Sequence, residues 1–144
     1  MSVSAETDSE RLVLQFLATL SAGDLEGVRQ MLHEEAIWQP QMRGVPGAGI
    51  HRGRKGIVDN FLMPVRGLFR SGDPKILVDT LVSKGPLVMV ESHSGGCLAD
   101  GRPYENLYAW AVEVRDGKIH TLREYFDSHY VVELMAGISN TVPQ

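Results

Sequence analysis

Near residue 75 the hydrophobic pattern of the chain changes its period, and the change limits the folds open to it. Before that point apolar residues recur at helical spacing: Leu12, Phe16, Leu17 and Leu20, then Leu25, Val28, Met31 and Leu32, then Ile57, Val58, Phe61 and Leu62. After it the alternation has period two, with strands predicted over about 75–83, 87–98, 103–115 and 118–129. Asp100-Gly101 and Asp116-Gly117 separate the last three strands, and glycine accepts the positive φ of tight hairpins at little cost. Helices followed by a run of antiparallel strands predict an α+β fold, with about three N-terminal helices packed on one face of a curved sheet.

The finer reading follows the local signals. The first helix starts near Asp8 or Ser9 and is broken by Ser21-Ala22-Gly23-Asp24, where Gly23 suits a C-terminus and Asp24 an N-cap. The second helix covers about 25–33. Ala36 to Gln39 forms a short strand stopped at Pro40, residues 41–53 form a loop, and the third helix ends before Pro64. A length of 144 residues fits one domain. Residues 9–138 are assigned to it, with an N-terminal tail over 1–8 and a C-terminal tail over 139–144.

Charge and cysteine content exclude several classes. Fourteen Lys and Arg stand against eighteen Asp and Glu, so no basic excess is available for nucleic acid. The single cysteine, Cys97, leaves no disulfide framework and no cysteine-based zinc site, and no histidine spacing suggests a metal. No apolar run reaches the ~18 residues of a membrane span. The first ten residues are polar and acidic, without a visible secretory signal, so the expected location is the cytoplasm.

Strand parity then sorts side chains by face. Over 106–114 the even set, Asn106, Tyr108, Trp110, Val112 and Val114, is the bulkier and is assigned to the interior. The small odd set, Leu107, Ala109 and Ala111, suits a sheet-on-sheet contact with a second copy. In the last strand His120, Leu122, Glu124 and Phe126 share a face, which sets Glu124 in an apolar wall. Around residue 90 both faces are apolar, and parity does not choose between Glu91 with His93 and Val90 with Ser92.

The stretch VMVESHSGG, followed by DGRPYENLYAWAVEVRDGKIHTLREYFD, resembles the nuclear-transport-factor-2-like superfamily. Within it the chain is similar to the SnoaL-like, polyketide-cyclase-like and ketosteroid-isomerase-related group. The phenazine-biosynthesis A/B proteins share a very similar pattern, and limonene-epoxide hydrolases share it more distantly. The resemblance implies a cone of strongly curved antiparallel sheet and helices around one apolar pocket. It puts Glu124 at the position of a pocket carboxylate on the last strand. It puts Glu91 and His93 where epoxide hydrolases carry Arg and Asp. Trp38 takes the position of a pocket Tyr, and Pro40 that of a water-holding Asn or of the isomerase base. Phe16 replaces the isomerase's oxyanion Tyr, and Asn60 replaces a histidine of the phenazine proteins. Steroid isomerisation itself is therefore not expected.

The expected function is a cofactor-independent acid–base enzyme of isomerase, cyclase or epoxide-hydrolase type, acting on a small, largely apolar cyclic or carbonyl metabolite. Glu124 is its expected proton donor and acceptor, because desolvation raises a carboxyl toward neutral pKa. His93 and Glu91 are its expected helpers. Leu17, Leu20, Trp38, Pro40, Asn60, Asn106, Tyr108, Leu122 and Phe126 are expected to line the ligand pocket. The alternative is a non-catalytic ligand-binding or dimerising module on the same fold. Both readings expect a homodimer and a small-molecule ligand.

Overall fold

Thr7 starts the first helix by accepting the backbone N–H of Glu10 on its hydroxyl at 3.1 Å. The computed structural model describes residues 3–45 and 47–141, with backbone alone for 137–141. Within these residues α1 spans Asp8–Ser21 and buries Val13, Phe16, Leu17 and Leu20 along one stripe. Gly23, at φ +76°, turns the chain, and Asp24 caps α2 (Leu25–Met31) through a 2.9 Å bond from the N–H of Gly27. The tails expected at 1–8 and 139–144 lie partly outside the described residues.

α2 ends at Met31 rather than at 33, because Leu32 is already extended and paired in β1 (Leu32–Pro40). That strand is longer than expected and runs parallel to the last strand, not antiparallel. A two-residue strand, β2 (His51–Arg52), pairs back onto Ile37 and Trp38 inside the segment expected to be pure loop. A π-wound helix over Lys55–Leu62 follows, with Ile57, Val58, Phe61 and Leu62 buried. It does not stop before Pro64. The winding changes to α3 (Met63–Arg66), and Pro64 sits in that first turn, where a missing N–H costs least.

The meander β3 (Lys75–Lys84), β4 (Leu87–Cys97), β5 (Pro103–Arg115) and β6 (Lys118–Phe126) is antiparallel throughout. Asp116 and Gly117 both have positive φ, as a two-residue primed turn requires. The six-stranded sheet has the order β2-β1-β6-β5-β4-β3. β6 stops at Phe126 rather than 129, and α4 (Ser128–Thr141) follows it, a helix the sequence reading did not include.

One face of this sheet meets the helices. Trp38, Val88, Val90, Trp110, Val112 and Leu122 pack there with Phe16, Leu17 and Phe61 in a single buried cluster. The assignment of the even side of β5 to the interior holds for Asn106, Trp110 and Val112. The opposite face stays open and keeps Leu77, Met89, Leu107 and Tyr125 exposed. A register shift between Glu113 and Val114 makes His120 an extra residue in the ladder, so His120 leaves the face it would share with Leu122.

Candidate active site

The site is assembled from the middle of the sheet outward. β6 lies between β1 and β5, so Glu124 has Pro40 as its ladder partner on one side and Trp110 on the other. The indole Nε1–H of Trp38 donates to Glu124 Oε1 at 3.0 Å. Trp38 meets Trp110 edge-on at 6.0 Å, Tyr108 stacks on Trp110 at 5.5 Å, and Phe126 lies 5.7 Å from Tyr108. These rings surround the carboxyl with apolar surface.

Glu124 borders a cavity of about 130 Å³. Its sheet-side wall holds Trp38, Pro40, Ser94, Tyr108, Trp110 and Phe126. The helix-side wall comes from Leu20 of α1, from Phe61 and Leu62, and from Val65 and Arg66 of α3. Val131, Leu134 and Met135 of α4 close a third side. Glu124 keeps partial access through the cavity, but protein surrounds it and its pKa is pushed up to about 7. Burial causes that rise, and the Trp38 hydrogen bond opposes it.

A chain of polar groups lies in the same wall. Asn106 Nδ2 donates to the Tyr104 hydroxyl at 3.1 Å, and the Tyr104 and Tyr108 hydroxyls are 2.5 Å apart. One phenolic proton serves the bond between the two tyrosines. The other is not needed for that bond, since Asn106 supplies its own donor, and the Ser94 hydroxyl is a further hydrogen-bonding neighbour of Tyr108. Burial holds both phenols above their ordinary pKa, so they remain protonated donors at neutral pH.

The remaining expected site residues separate. Leu20, Trp38, Pro40, Tyr108 and Phe126 border the cavity with Glu124. Leu17 and Leu122 belong to the packed core, and Asn106 is buried behind the tyrosines, also donating toward the Asp127 carbonyl at 3.4 Å. Asn60 is exposed on the π-wound helix. Glu91 and His93 need correction as pocket residues. Ser92 and Ser94 take the inward positions of β4, while Glu91 is exposed and His93 Nδ1 lies 2.9 Å from the carboxylate of Asp79.

Tyr104, Arg66 and the α4 residues were not anticipated. Tyr104 continues the even set of β5 by one step, and Val131, Leu134 and Met135 have helical spacing. Arg66 carried no local signal. A cluster distant in sequence also forms outside the cavity, where ligand atoms of His33, Glu35 and His120 lie within 4.8 Å of one another. Its ring nitrogens already have neighbours: His33 Nδ1 accepts the Glu35 N–H at 3.0 Å, and His120 Nε2 lies 3.3 Å from the Arg115 guanidinium. A cation there would be repelled by the Arg115 guanidinium. No helix among the described residues is long and apolar enough to cross a membrane.

Comparison with known proteins agrees with this architecture. The sequence model of one family, described as the SnoaL-like domain, matches residues 13–122. No curated protein matches the chain in sequence. Among solved structures, TerC co-crystallised with polyporic acid superposes with a TM-score of 0.79 at 21% identity, covering 90% of this chain and 99% of that one. An NTF2-like protein from Burkholderia pseudomallei K96243 gives 0.77 at 17% identity, covering 90% and 98%. An LEH-like epoxide hydrolase from M. tuberculosis gives 0.69 at 19% identity, covering 93% and 97%. Likeness at these identities establishes the NTF2-like fold.

Proposed function

The chain belongs to the SnoaL-like family, and on that premise we propose that it is a cytoplasmic, cofactor-independent acid–base enzyme for a small apolar cyclic or carbonyl compound. Glu124 moves the proton. The observation that carries this reading is a carboxyl with a pKa near 7 beside a cavity, facing ring surfaces rather than a cationic partner. Such a group is poised to take a proton at neutral pH and return it. The spare phenolic O–H of the Tyr104–Tyr108 pair donates to the substrate oxygen and holds the charge that develops there. For a ketone, the Glu124 carboxylate removes the proton α to the carbonyl, and the electron pair moves onto oxygen as an enolate. Return of the proton to the same or another carbon gives exchange or isomerisation.

The test follows 2-tetralone, a cyclic ketone, in deuterated buffer by proton NMR. Wild type should exchange the α-protons faster than buffer, and Glu124→Gln should lose about 100-fold or more of that rate. Equal rates for the two proteins overturn the catalytic role. A second reading, a non-catalytic ligand-binding module, is favoured by the outward placement of Glu91 and His93, which leaves Glu124 without the two expected helpers. It predicts tetralone binding with exchange no faster than in Glu124→Gln.

We assign the open sheet face to a second copy of the chain. Leu107 is 72% exposed and Leu77 50%, with His93 between them in the ladder. Met89 and Tyr125 extend the same surface. A stable interface needs roughly 1,200 Å² or more, and this four-strand face offers a broad surface with exposed apolar side chains for it.

A further inference from the structure

One cationic side chain in the cavity wall has no hydrogen-bond or ion-pair partner among the described residues. Arg66 closes α3 and borders the cavity opposite the sheet. Its Nη2 is buried and makes no hydrogen bond. Asp73 is the acidic group that acts on it electrostatically, but Asp73 Oδ2 accepts the backbone N–H of Cys97 at 3.0 Å. Arg66 makes no ion pair with Asp73 or with any other described residue. Nη2 lies 3.4 Å from where a Cβ on Gly23 would stand, so a residue without a side chain at that turn leaves the guanidinium room.

A buried guanidinium N–H without an acceptor is unfavourable, and proteins keep such groups where something else supplies the acceptor. The cavity is otherwise apolar apart from Glu124 and hydroxyl groups. Burial also depresses the pKa of Arg66 below its ordinary value, which records the desolvation a bound anion would offset. An arginine fork matches a carboxylate with two parallel N–H donors. A phosphate carries more charge than one guanidinium among apolar walls can balance.

We propose that Arg66 is an anion-recognition residue of the cavity, and that the ligand is a compact apolar skeleton carrying a carboxylate at the Arg66 end. The proposal rests on the cavity being the ligand site, and it adds the class of ligand. An apolar cavity of ~150 Å³ accommodates a benzene ring, and the cavity of about 130 Å³ is on the scale of a small ring skeleton whose acid group reaches the wall.

The experiment compares cinnamate with its neutral isostere cinnamamide by titration calorimetry near pH 6, where Glu124 is mostly protonated and does not repel the anion. Wild type should bind cinnamate about tenfold or more tighter, the worth of one charge-assisted hydrogen bond. In Arg66→Gln the preference should fall to about twofold or less while cinnamamide affinity is kept. Arg66→Lys, which retains charge but not the fork, should fall between them and covers a Gln variant that fails to fold. Equal binding of the two probes by wild type, a preference that survives in Arg66→Gln, or binding of neither probe overturns the proposal. Glu124→Gln should keep the preference, so loss of tetralone exchange and loss of acid preference are separate failures.

Discussion

Trp38 donates its indole N–H to Oε1 of Glu124 across 3.0 Å, joining a residue of β1 to one of β6 that stands 86 positions later. The bond lowers the pKa of Glu124 against the effect of burial. It depends on the parallel pairing of β1 with β6, which sets Trp38 opposite Leu122 and Pro40 opposite Glu124.

Glu124→Gln should stabilise the protein at high pH and not at low pH. The folded pKa of about 7 lies above the ordinary 4.5, so between those values the folded state holds a proton the unfolded state has lost. Stability contributed by that proton is complete below about 4.5 and falls as pH rises through about 7. The full loss is on the order of 3 kcal/mol, at 1.36 kcal/mol per pKa unit. Gln removes it and can still accept the Trp38 N–H. Thermal melts should agree near pH 4, while at pH 8 the Gln variant should melt roughly 5 °C higher or more. A variant that melts lower at pH 8 would mark Glu124 as a structural partner.

Trp38→Phe should push the Glu124 pKa above 7. A hydrogen bond to a charged group contributes ~1.5–3 kcal/mol, or about one to two pKa units. Carbon-13 NMR of labelled glutamate side chains reads this directly. No upward movement would show that the indole does not stabilise the carboxylate.

His93→Gln and Glu91→Gln should leave the Glu124 titration and the tetralone exchange unchanged within about twofold. Both side chains lie on the outward face of β4, away from the cavity. A large loss of exchange in either variant would mean the cavity is not the site of chemistry.

Leu107→Arg should turn a dimer into a monomer without changing the circular dichroism spectrum. The side chain is exposed in the single chain, so the folded subunit loses no packing. Sedimentation of wild type at micromolar concentration should give about twice the 15.9 kDa chain mass. A monomeric wild type would remove the sheet face as an interface.

Leu17→Ala and Phe126→Leu should separate core from cavity. Leu17 of α1 is buried in the single core cluster, and its truncation should cost about 2–5 kcal/mol in urea melts. Phe126 borders the cavity, so Phe126→Leu should cost less than about 1.5 kcal/mol and weaken cinnamamide binding instead. Reversed costs would exchange the two roles.

Most of the architecture could be read along the chain because its signals are local. Helical spacing, the Asp24 cap and the Asp116-Gly117 turn each act over a few residues, and the α+β fold follows from their order. The inward position of Glu124 was readable for the same reason: Leu122 and Phe126 flank it on a strand with one polar and one apolar face. On β4 both faces are apolar, so alternation could not say that Ser92 and Ser94 point inward and Glu91 and His93 do not. The neighbouring strands made that choice, by aligning Ser92 with Tyr108 and Val90 with Trp110. The ladder irregularity at His120, the parallel β1–β6 pairing and the lack of a partner for Arg66 among the described residues follow the same logic. Each depends on which distant segment lies alongside, and Coulomb and packing energies act over distance in space rather than along the chain. Local pattern thus settled the elements and the face of the key carboxyl, while tertiary pairing decided which groups share its cavity.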